Sequence, residues 1–324
     1  MPLINQFLKE GHEVIIGADK HPLAFLKQEF PDLQTVVIPG YEVSYDEKGS
    51  FFKLFTESVR FNKYIKIEHG LIDKIIEDYT IDMIVSDNRY GLYNDKVESI
   101  IITHQLYPKA PIGESVAHKK IAQLLNNFNA IWIPDYEGEN NLSGDLAHLK
   151  PFQQKHKFIG PLSRFSSFDS AQEAIIEHEI IAILSGPEPQ RTIFEELVME
   201  QIKKHKLKAV VVRGLPNCPL RLRSGGNLID PRESGEIPVQ ARNDGNIKIF
   251  NHLSTKELQE YIQKSKVVVC RAGYSSIMDL TVLGKKAILV PTPGQTEQEY
   301  LANYHFEQGN FHTQTQANFL LEKH

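Results

Sequence analysis

VVVCRAGYSSIMDL, residues 267–280, opens as a short β-branched run and closes with the apolar spacing of a helix. The residues at the join, Arg271, Gly273, Ser275 and Ser276, are not those of an ordinary turn. A strand built only from apolar residues is buried on both faces, and a helix that follows it directly covers one of those faces. Strand, short loop and covering helix form the unit of a parallel α/β sheet.

The same alternation runs through the 324 residues. In the first half EVIIGA (13–18), TVVIP (35–39), DMIVSD (82–87), SIIITH (99–104) and AIWIP (130–134) read as strands. In the second half IIAILS (180–185), KAVVV (208–212), NIKIFN (246–251), KVVVC (266–270) and KAILVP (286–291) do the same. Helical patterns lie between them, as in KYIKIEHGLIDKIIEDY at 63–79. FIGPLSRFSSF, 158–168, combines Gly-Pro with a polar stretch and reads as a linker. The expected organisation is α/β, with two Rossmann-like doubly wound domains over 1–163 and 164–324.

Composition restricts the function. A net charge of -5 and a pI near 6.2 provide no global basic field, which argues against nucleic acid as the main partner. Cys218 and Cys270 are too few for a disulfide framework and have no metal-ligand spacing, so a reducing, cytoplasmic setting is expected. No apolar run reaches the roughly 20 residues of a membrane helix, and the N-terminus has no signal-peptide pattern.

Ligands of doubly wound sheets bind at the carboxyl ends of strands. After KVVVC, Gly273 permits close approach and Ser275 or Ser276 can cap the helix, whose N-H groups and dipole attract a phosphate. Arg271 either adds a permanent positive charge there or pairs with a surface carboxylate. One turn on, Asp279 is placed either to accept from ribose hydroxyls or to stand as a solvated helix residue. After the next strand, PTPGQTEQEYLANY (291–304) carries Thr296, Glu297, Gln298 and Glu299, a set suited to sugar hydroxyls. Thr296 and Glu299 also fit a capping box, and the two readings are compatible.

The segment from Val267 to Tyr304 resembles the donor-binding core of GT-B glycosyltransferases of the family 28 type, which includes the UDP-N-acetylglucosamine transferase of peptidoglycan lipid assembly. The resemblance rests on a strand ending in Cys-Arg-Ala-Gly, an acidic residue one helical turn later, a Val-Pro strand end and a Gln-bearing segment before an Asn. It extends from about 246 to 310 and, in layout, over the whole chain. It implies a GT-B fold with two domains facing a cleft. The loop Gly273, Tyr274, Ser275 and Ser276 would face the donor diphosphate, Asp279 the ribose, and Gln298 with Glu299 the transferred sugar. The family commonly has Gln where Glu299 stands. By the same resemblance Ser185, Gly186 and Arg191, in SGPEPQRTIFEEL, approach the donor phosphates, and FNHLS (250–254) lies near the base. The family's first strand and Gly-rich loop have no counterpart before MPLINQFLKEGHEVIIGA, so the N-terminal domain is expected to lack them.

Sugar transfer from a nucleotide diphosphate needs charge stabilisation at the leaving group and a base for the acceptor hydroxyl. His104 and Asp87, at strand ends of the first domain, are the candidate bases; His104 is favoured because its unperturbed pKa of about 6.5 is near working pH, and a structural histidine is the competing reading. No His, Asp or Glu cluster has metal-ligand spacing, so no metal and no cofactor beyond the UDP-sugar substrate is expected. SFFKLFTESVRFNKYIK, 50–66, interleaves Phe51, Phe52, Leu54, Phe55 and Phe61 with Lys53, Arg60, Lys63 and Lys66. It reads either as a helix with a buried face or as a surface for anionic lipid, the latter implying a lipid-linked acceptor and a peripheral position at the inner membrane face. The expected activity is inverting transfer of an N-acetylhexosamine from a UDP-sugar to a cell-envelope acceptor. A UDP-sugar hydrolase or epimerase, or a nucleotide-sugar-binding protein without turnover, are the alternatives.

Overall fold

The computed structural model describes residues 1–40, 51–110, 112–167, 175–215, 221–222, 228–229, 242–244 and 246–321. The chain divides into two compact units, Met1–Arg164 with Gly294–Leu301, and Phe165–Pro293 with Ala302–His324.

Unit 1 contains two parallel sheets. β1 (Ile15–Ala18) pairs with β2 (Gln34–Val37), and β3 (Met83–Asp87), β4 (Glu98–Ile102), β5 (Ala130–Ile133) and β6 (His156–Phe158) form a four-stranded sheet in that order. Its helices are α1 (Pro2–Lys9), α2 (Lys20–Glu29), α3 (Phe51–Tyr79), α4 (Glu114–Leu125) and α5 (Asp145–His148). The single sheet expected for this half is interrupted between β2 and β3. Across the interruption, Arg89 donates to the carbonyls of Ile38 and Pro39, while Glu68 of α3 holds its Nε at 2.8 Å. Ile38, Ile72, Ile84 and Leu92 share one core beneath this crossing. A second core packs Ile101, Ile131 and Ile133 against Leu124, Leu125 and Phe128.

In the 50–66 segment, the side chains of Phe51, Phe52, Lys53, Leu54 and Phe55 lie outside the described residues. Phe61 packs inward, edge-on to Tyr90 with ring centroids 5.9 Å apart. No helix among the described residues is long and apolar enough to cross a membrane.

Unit 2 is built on β7 (His178–Ile183), β8 (Ala209–Val212), β11 (Arg242–Asp244), β12 (Ile247–Phe250), β13 (Ser265–Cys270), β14 (Ala287–Leu289) and β15 (His312–Thr313). The small pair β9 (Arg221–Leu222) and β10 (Leu228–Ile229) stands apart from this sheet. The seven strands lie in the order β11-β12-β8-β7-β13-β14-β15, parallel except for the edge strand β11. The chain therefore builds from β7 through β8 to β12, returns to the other flank of β7 as β13, and continues through β14 to β15. Strand order reverses between β7 and β13, and such a switch point opens a crevice at the carboxyl ends of the two strands.

The helices of unit 2 are α6 (Gln190–His205), α7 (Thr255–Gln263), α8 (Tyr274–Leu283) and α9 (Thr296–Glu307), whose first residues group with unit 1. Ser254 and Glu257 close a reciprocal capping box on α7. Gly284, at φ +59°, ends α8 in the left-handed region that favours glycine. Phe194, Val198 and Ile202 of α6 pack against Ala182, Leu184, Ala209, Val211 and Val269 of the sheet. Every strand expected from the sequence is present. Those not anticipated, β6, β9, β10, β11 and β15, are too short to show a period.

Candidate active site

In unit 2, Cys270 of β13 is in register with Ile183 of β7, so the loops that follow the two strands emerge side by side at the switch point. After β7, Ser185 and Gly186 are exposed. Gly186 has φ +107° and a Cβ added there would meet nothing within 4 Å. After β13, Gly273 is the N-cap of α8, with extended φ -76° and ψ 144° and open space where its Cβ would be. The first intrahelical bond runs from Ile277 N-H to the Gly273 carbonyl, so the N-H groups of Tyr274, Ser275 and Ser276 precede the helical ladder. Among the described residues no side chain caps this end of the helix. Ser275 is exposed, Ser276 and Asp279 are half-buried, and Tyr274 is buried. A glycine approach and an uncapped helix start converge on the crevice, which is the geometry that receives a phosphate.

The two arginines expected to serve a donor are not at this surface. Arg271 is 1% exposed. Its Nη2 donates to the Gln190 carbonyl at 2.8 Å and to Gln316 Oε1 at 2.7 Å, and its Nη1 to the carbonyls of Val290 and Pro291 at 3.3 Å each. Burial lowers its pKa to about 10, which leaves it a cation at neutral pH. Arg191 is 6% exposed and is committed to Glu188 at 2.6 Å, Glu195 at 2.7 Å and Thr192 Oγ1 at 2.7 Å. Both are corrections to the sequence expectation, with one physical reason: each guanidinium is held below the surface by protein acceptors. Near the FNHLS segment, Asn251 Oδ1 accepts from Arg213 at 3.2 Å, and Ser254 is the α7 cap.

The start of α9 also differs from expectation. Gln295, not Thr296, caps the helix, its Oε1 accepting from the Gln298 N-H at 2.6 Å. Thr296 Oγ1 instead donates to the Lys109 carbonyl at 2.9 Å. Glu299 reaches back to the Gly294 N-H at 2.9 Å. Gln298 is half-buried.

Glu297 occupies a different position from its neighbours. In unit 1 its Oε1 lies 2.8 Å from His104 Nε2, and its Oε2 accepts from Gln105 Nε2 at 2.6 Å. The turn that presents His104 is fixed from several directions. β3 and β4 end in register, and the Asn88 N-H donates to the Ile102 carbonyl at 3.0 Å. Asn88 adopts φ +54°, a left-handed conformation that Asn tolerates. Its Oδ1 accepts from Thr103 Oγ1 at 3.1 Å and from the Tyr90 hydroxyl at 3.3 Å, and Thr103 Oγ1 accepts from the Gln105 N-H at 3.1 Å. Around Lys109, Nζ pairs with Asp145 at 2.9 Å and lies 4.6 Å from the Tyr300 ring centroid, while the Tyr300 hydroxyl accepts from the Asp145 N-H. Thr296, Glu297 and Tyr300 on one side, with His104, Gln105 and Lys109 on the other, thus lock the start of α9 onto this turn.

Asp87 ends β3 beside this turn and its side chain is open to solvent. Desolvation raises its pKa, against the attraction of the Met1 amino group and then of His104. Burial pushes the Tyr90 hydroxyl up to about 12, so it remains a donor to Asn88 at any working pH. Among the described residues no group of three or more His, Cys, Asp or Glu side chains could hold a metal ion. Asn88, Tyr90, Gln105 and Lys109 were not singled out from sequence. Gln105 carried the one available signal, its place directly after His104.

Residues 190–320 match the model of the glycosyltransferase family 28 C-terminal domain. The chain is 22% identical, over 306 residues, to the UDP-N-acetylglucosamine--N-acetylmuramyl-(pentapeptide) pyrophosphoryl-undecaprenol N-acetylglucosamine transferase of Zymomonas mobilis, spanning 92% of this chain and 70% of that protein. It is 39% identical over 62 residues to the protein of the same name from Caldicellulosiruptor saccharolyticus, a match that spans 19% of this chain and 15% of that relative's length. In fold it is similar to the glycosyltransferase SnogD from Streptomyces nogalater, with TM-score 0.58, 11% identity, and coverage of 98% of this chain and 83% of that one. The chain resembles family 28 in sequence, and its two parallel-sheet domains have the GT-B fold of solved glycosyltransferases.

Proposed function

We propose that this chain, GT-B in fold and similar to glycosyltransferase family 28 over residues 190–320, is a UDP-sugar-dependent inverting glycosyltransferase. The reading gives it an N-acetylhexosamine donor and a lipid-linked cell-envelope acceptor, with a peripheral position at the membrane face where such an acceptor is available. The relatives' names, which specify UDP-N-acetylglucosamine and a pyrophosphoryl-undecaprenol acceptor, support this choice.

One observation carries the reading. The uncapped start of α8 and the open Gly186 turn lie side by side at the strand-order reversal of unit 2, inside or next to the segment that matches the family. In this reading the N-H groups of Tyr274, Ser275 and Ser276 receive the donor diphosphate, and Ser185 and Gly186 allow its close approach. Asp279 accepts from ribose hydroxyls, and Gln298 with Glu299 contact the transferred sugar. The acceptor oxygen attacks the anomeric carbon while the bond to UDP breaks, and the aligned N-H groups and helix dipole offset the charge gained by the leaving diphosphate. His104 takes the acceptor hydroxyl's proton, and Asp87 biases that site electrostatically. These groups supply the required charge stabilisation without calling on a metal.

Calorimetric titration with UDP, followed by a transfer assay with UDP-N-acetylglucosamine and a polyprenyl-pyrophosphoryl-linked sugar, tests this function. UDP binding with release of UDP only when acceptor is added is the expected result. UDP-sugar consumption without acceptor points to a hydrolase or epimerase, and binding without turnover points to a nucleotide-sugar-binding protein. Absence of UDP binding overturns the site.

A further inference from the structure

Glu297 belongs by sequence to the run Thr296, Glu297, Gln298 and Glu299, a set suited to donor sugar hydroxyls. Its carboxylate instead has both oxygens engaged in unit 1, one on His104 Nε2 at 2.8 Å and one on Gln105 Nε2 at 2.6 Å. A carboxylate is acceptor-only, so this contact selects the imidazole tautomer with its proton on Nε2 and its lone pair on Nδ1. We propose that Glu297 is the positioning residue for His104: it fixes the ring's tautomer and orientation and holds the positive charge that appears when His104 accepts a proton. The inference rests on the transferase reading above.

The pair is built to stay in place. Gln105 clamps the second carboxylate oxygen, so the carboxylate has little freedom to rotate away. Thr296, the residue before, is tied to the Lys109 carbonyl at 2.9 Å, and Tyr300, one turn later, is tied to Asp145. On the other side Asn88 and Thr103 pin the turn that carries the imidazole. Side-chain exposures of 13% for His104 and 21% for Glu297 leave the pair shielded, where a charge-assisted bond is stronger than in water. The acceptor O-H bond breaks and its proton passes to the imidazole lone pair. The freed oxygen pair forms the bond to the anomeric carbon, the carbon-oxygen bond to UDP breaks, and its electron pair leaves on the diphosphate. The imidazolium retains its Nε2-H on Glu297 until it returns the new proton to solvent.

The test compares wild type, Glu297→Gln, Glu297→Ala, His104→Ala and the His104→Ala/Glu297→Gln double variant, after thermal melts show which are folded. The expected result for Glu297→Gln is a kcat lower by about 100-fold, within the range of general-base effects, with donor KM and UDP Kd unchanged to within about twofold. The double variant is expected to be no slower than His104→Ala, since both substitutions disable one unit. Raised donor KM and UDP Kd with kcat preserved overturn the proposal and return Glu297 to the donor site. Losses that multiply in the double variant also overturn it, as does wild-type kcat in Glu297→Gln or, where that variant does not fold, in Glu297→Ala. A wild type that binds UDP but transfers no sugar overturns the transferase reading and this inference together. A wild type that transfers while the Glu297 variants are unaffected overturns this inference alone.

Discussion

The guanidinium of Arg271 lies 4.2 Å from the centroid of the Phe194 ring, inside unit 2 and not at its surface. Stacking on α6 from one side, it donates to the first residue of that helix, to the two residues that follow β14, and to Gln316. One buried cation therefore joins the roots of both switch-point loops, the one leading into α6 and the one leading into α8. The helix start that is proposed to hold a diphosphate is shaped from behind by Arg271 and needs no contact between that residue and a ligand.

Arg271→Met keeps much of the side-chain volume but strips the hydrogen bonds from four buried acceptors. An unsatisfied buried acceptor costs about 1–3 kcal/mol, so a total loss of about 3 kcal/mol or more is expected in urea unfolding. UDP affinity of the molecules that remain folded should be close to that of wild type. A normal unfolding midpoint with lost UDP binding would show that the guanidinium reaches the ligand after all.

Gly273 separates a phosphate site from a merely structural turn. Its φ of -76° suits any residue and a Cβ there meets nothing within 4 Å. Gly273→Leu should therefore leave stability within about 0.5 kcal/mol of wild type. The added side chain would occupy the space in front of the α8 N-H groups, and UDP affinity should fall by about tenfold or more, 1.4 kcal/mol. Calorimetry on the folded variant decides it, and unchanged affinity removes the diphosphate from this helix start.

The strands were legible because most are short runs rich in β-branched residues between polar loops, as in Ser265–Cys270, and in the fully buried Ala209–Val212 burial on both faces favours that composition. The loop after Cys270 was legible as a helix start for a similar local reason. The direction of Arg271 was not, because its acceptors, Gln190, Val290, Pro291 and Gln316, are dispersed along the chain. His104 and Glu297 stand 193 residues apart, and neither residue's local pattern announces the other. Thr296 fits a capping box by spacing, yet the longer Gln295 side chain reached the helix first and left Thr296 for the Lys109 carbonyl. Local chemistry predicted local structure, and pairing across the fold required coordinates.

Asp135, fully buried after β5, accepts from the N-H groups of Tyr136 and Leu142 at 2.7 Å each, from the Ser143 N-H at 2.9 Å, from the Ser143 hydroxyl and from His148 at 3.3 Å. Burial alone would raise its pKa, but the bonds from His148, Ser143 and Leu142 prevail and hold it below the ordinary carboxylate value. Its contribution is present above the unfolded-state pKa and is lost as pH falls through the folded one. Asp135→Asn sets an NH2 against this array of donors and should destabilise by about 2–4 kcal/mol at neutral pH. Urea unfolding of the variant checks it, and a change below about 0.5 kcal/mol would mean the loop does not depend on the carboxylate.

His178 supplies a second pH dependence of the same sign, from a base in place of an acid. It begins β7, is 2% exposed, and neither ring nitrogen has a hydrogen-bond partner among the described residues. Burial lowers its pKa, Lys248 adds to the effect, Glu177 opposes it, and Lys208 and Lys264 lower it further; the Tyr261 ring is its aromatic neighbour at 6.0 Å. The unfolded chain therefore binds a proton near pH 6.5 that the folded chain binds only at lower pH. Stability is full above that unfolded value and falls as pH drops from it toward the folded value, by up to about 1.4 kcal/mol per pH unit. His178→Leu removes the titrating group and two unpartnered nitrogens, so it should match or exceed wild-type stability at about pH 7.5 and lose less on going to about pH 5.5. Unfolding midpoints of the two proteins at both pH values give the comparison. Parallel losses would show that His178 takes up its proton in the folded state as readily as in the unfolded chain.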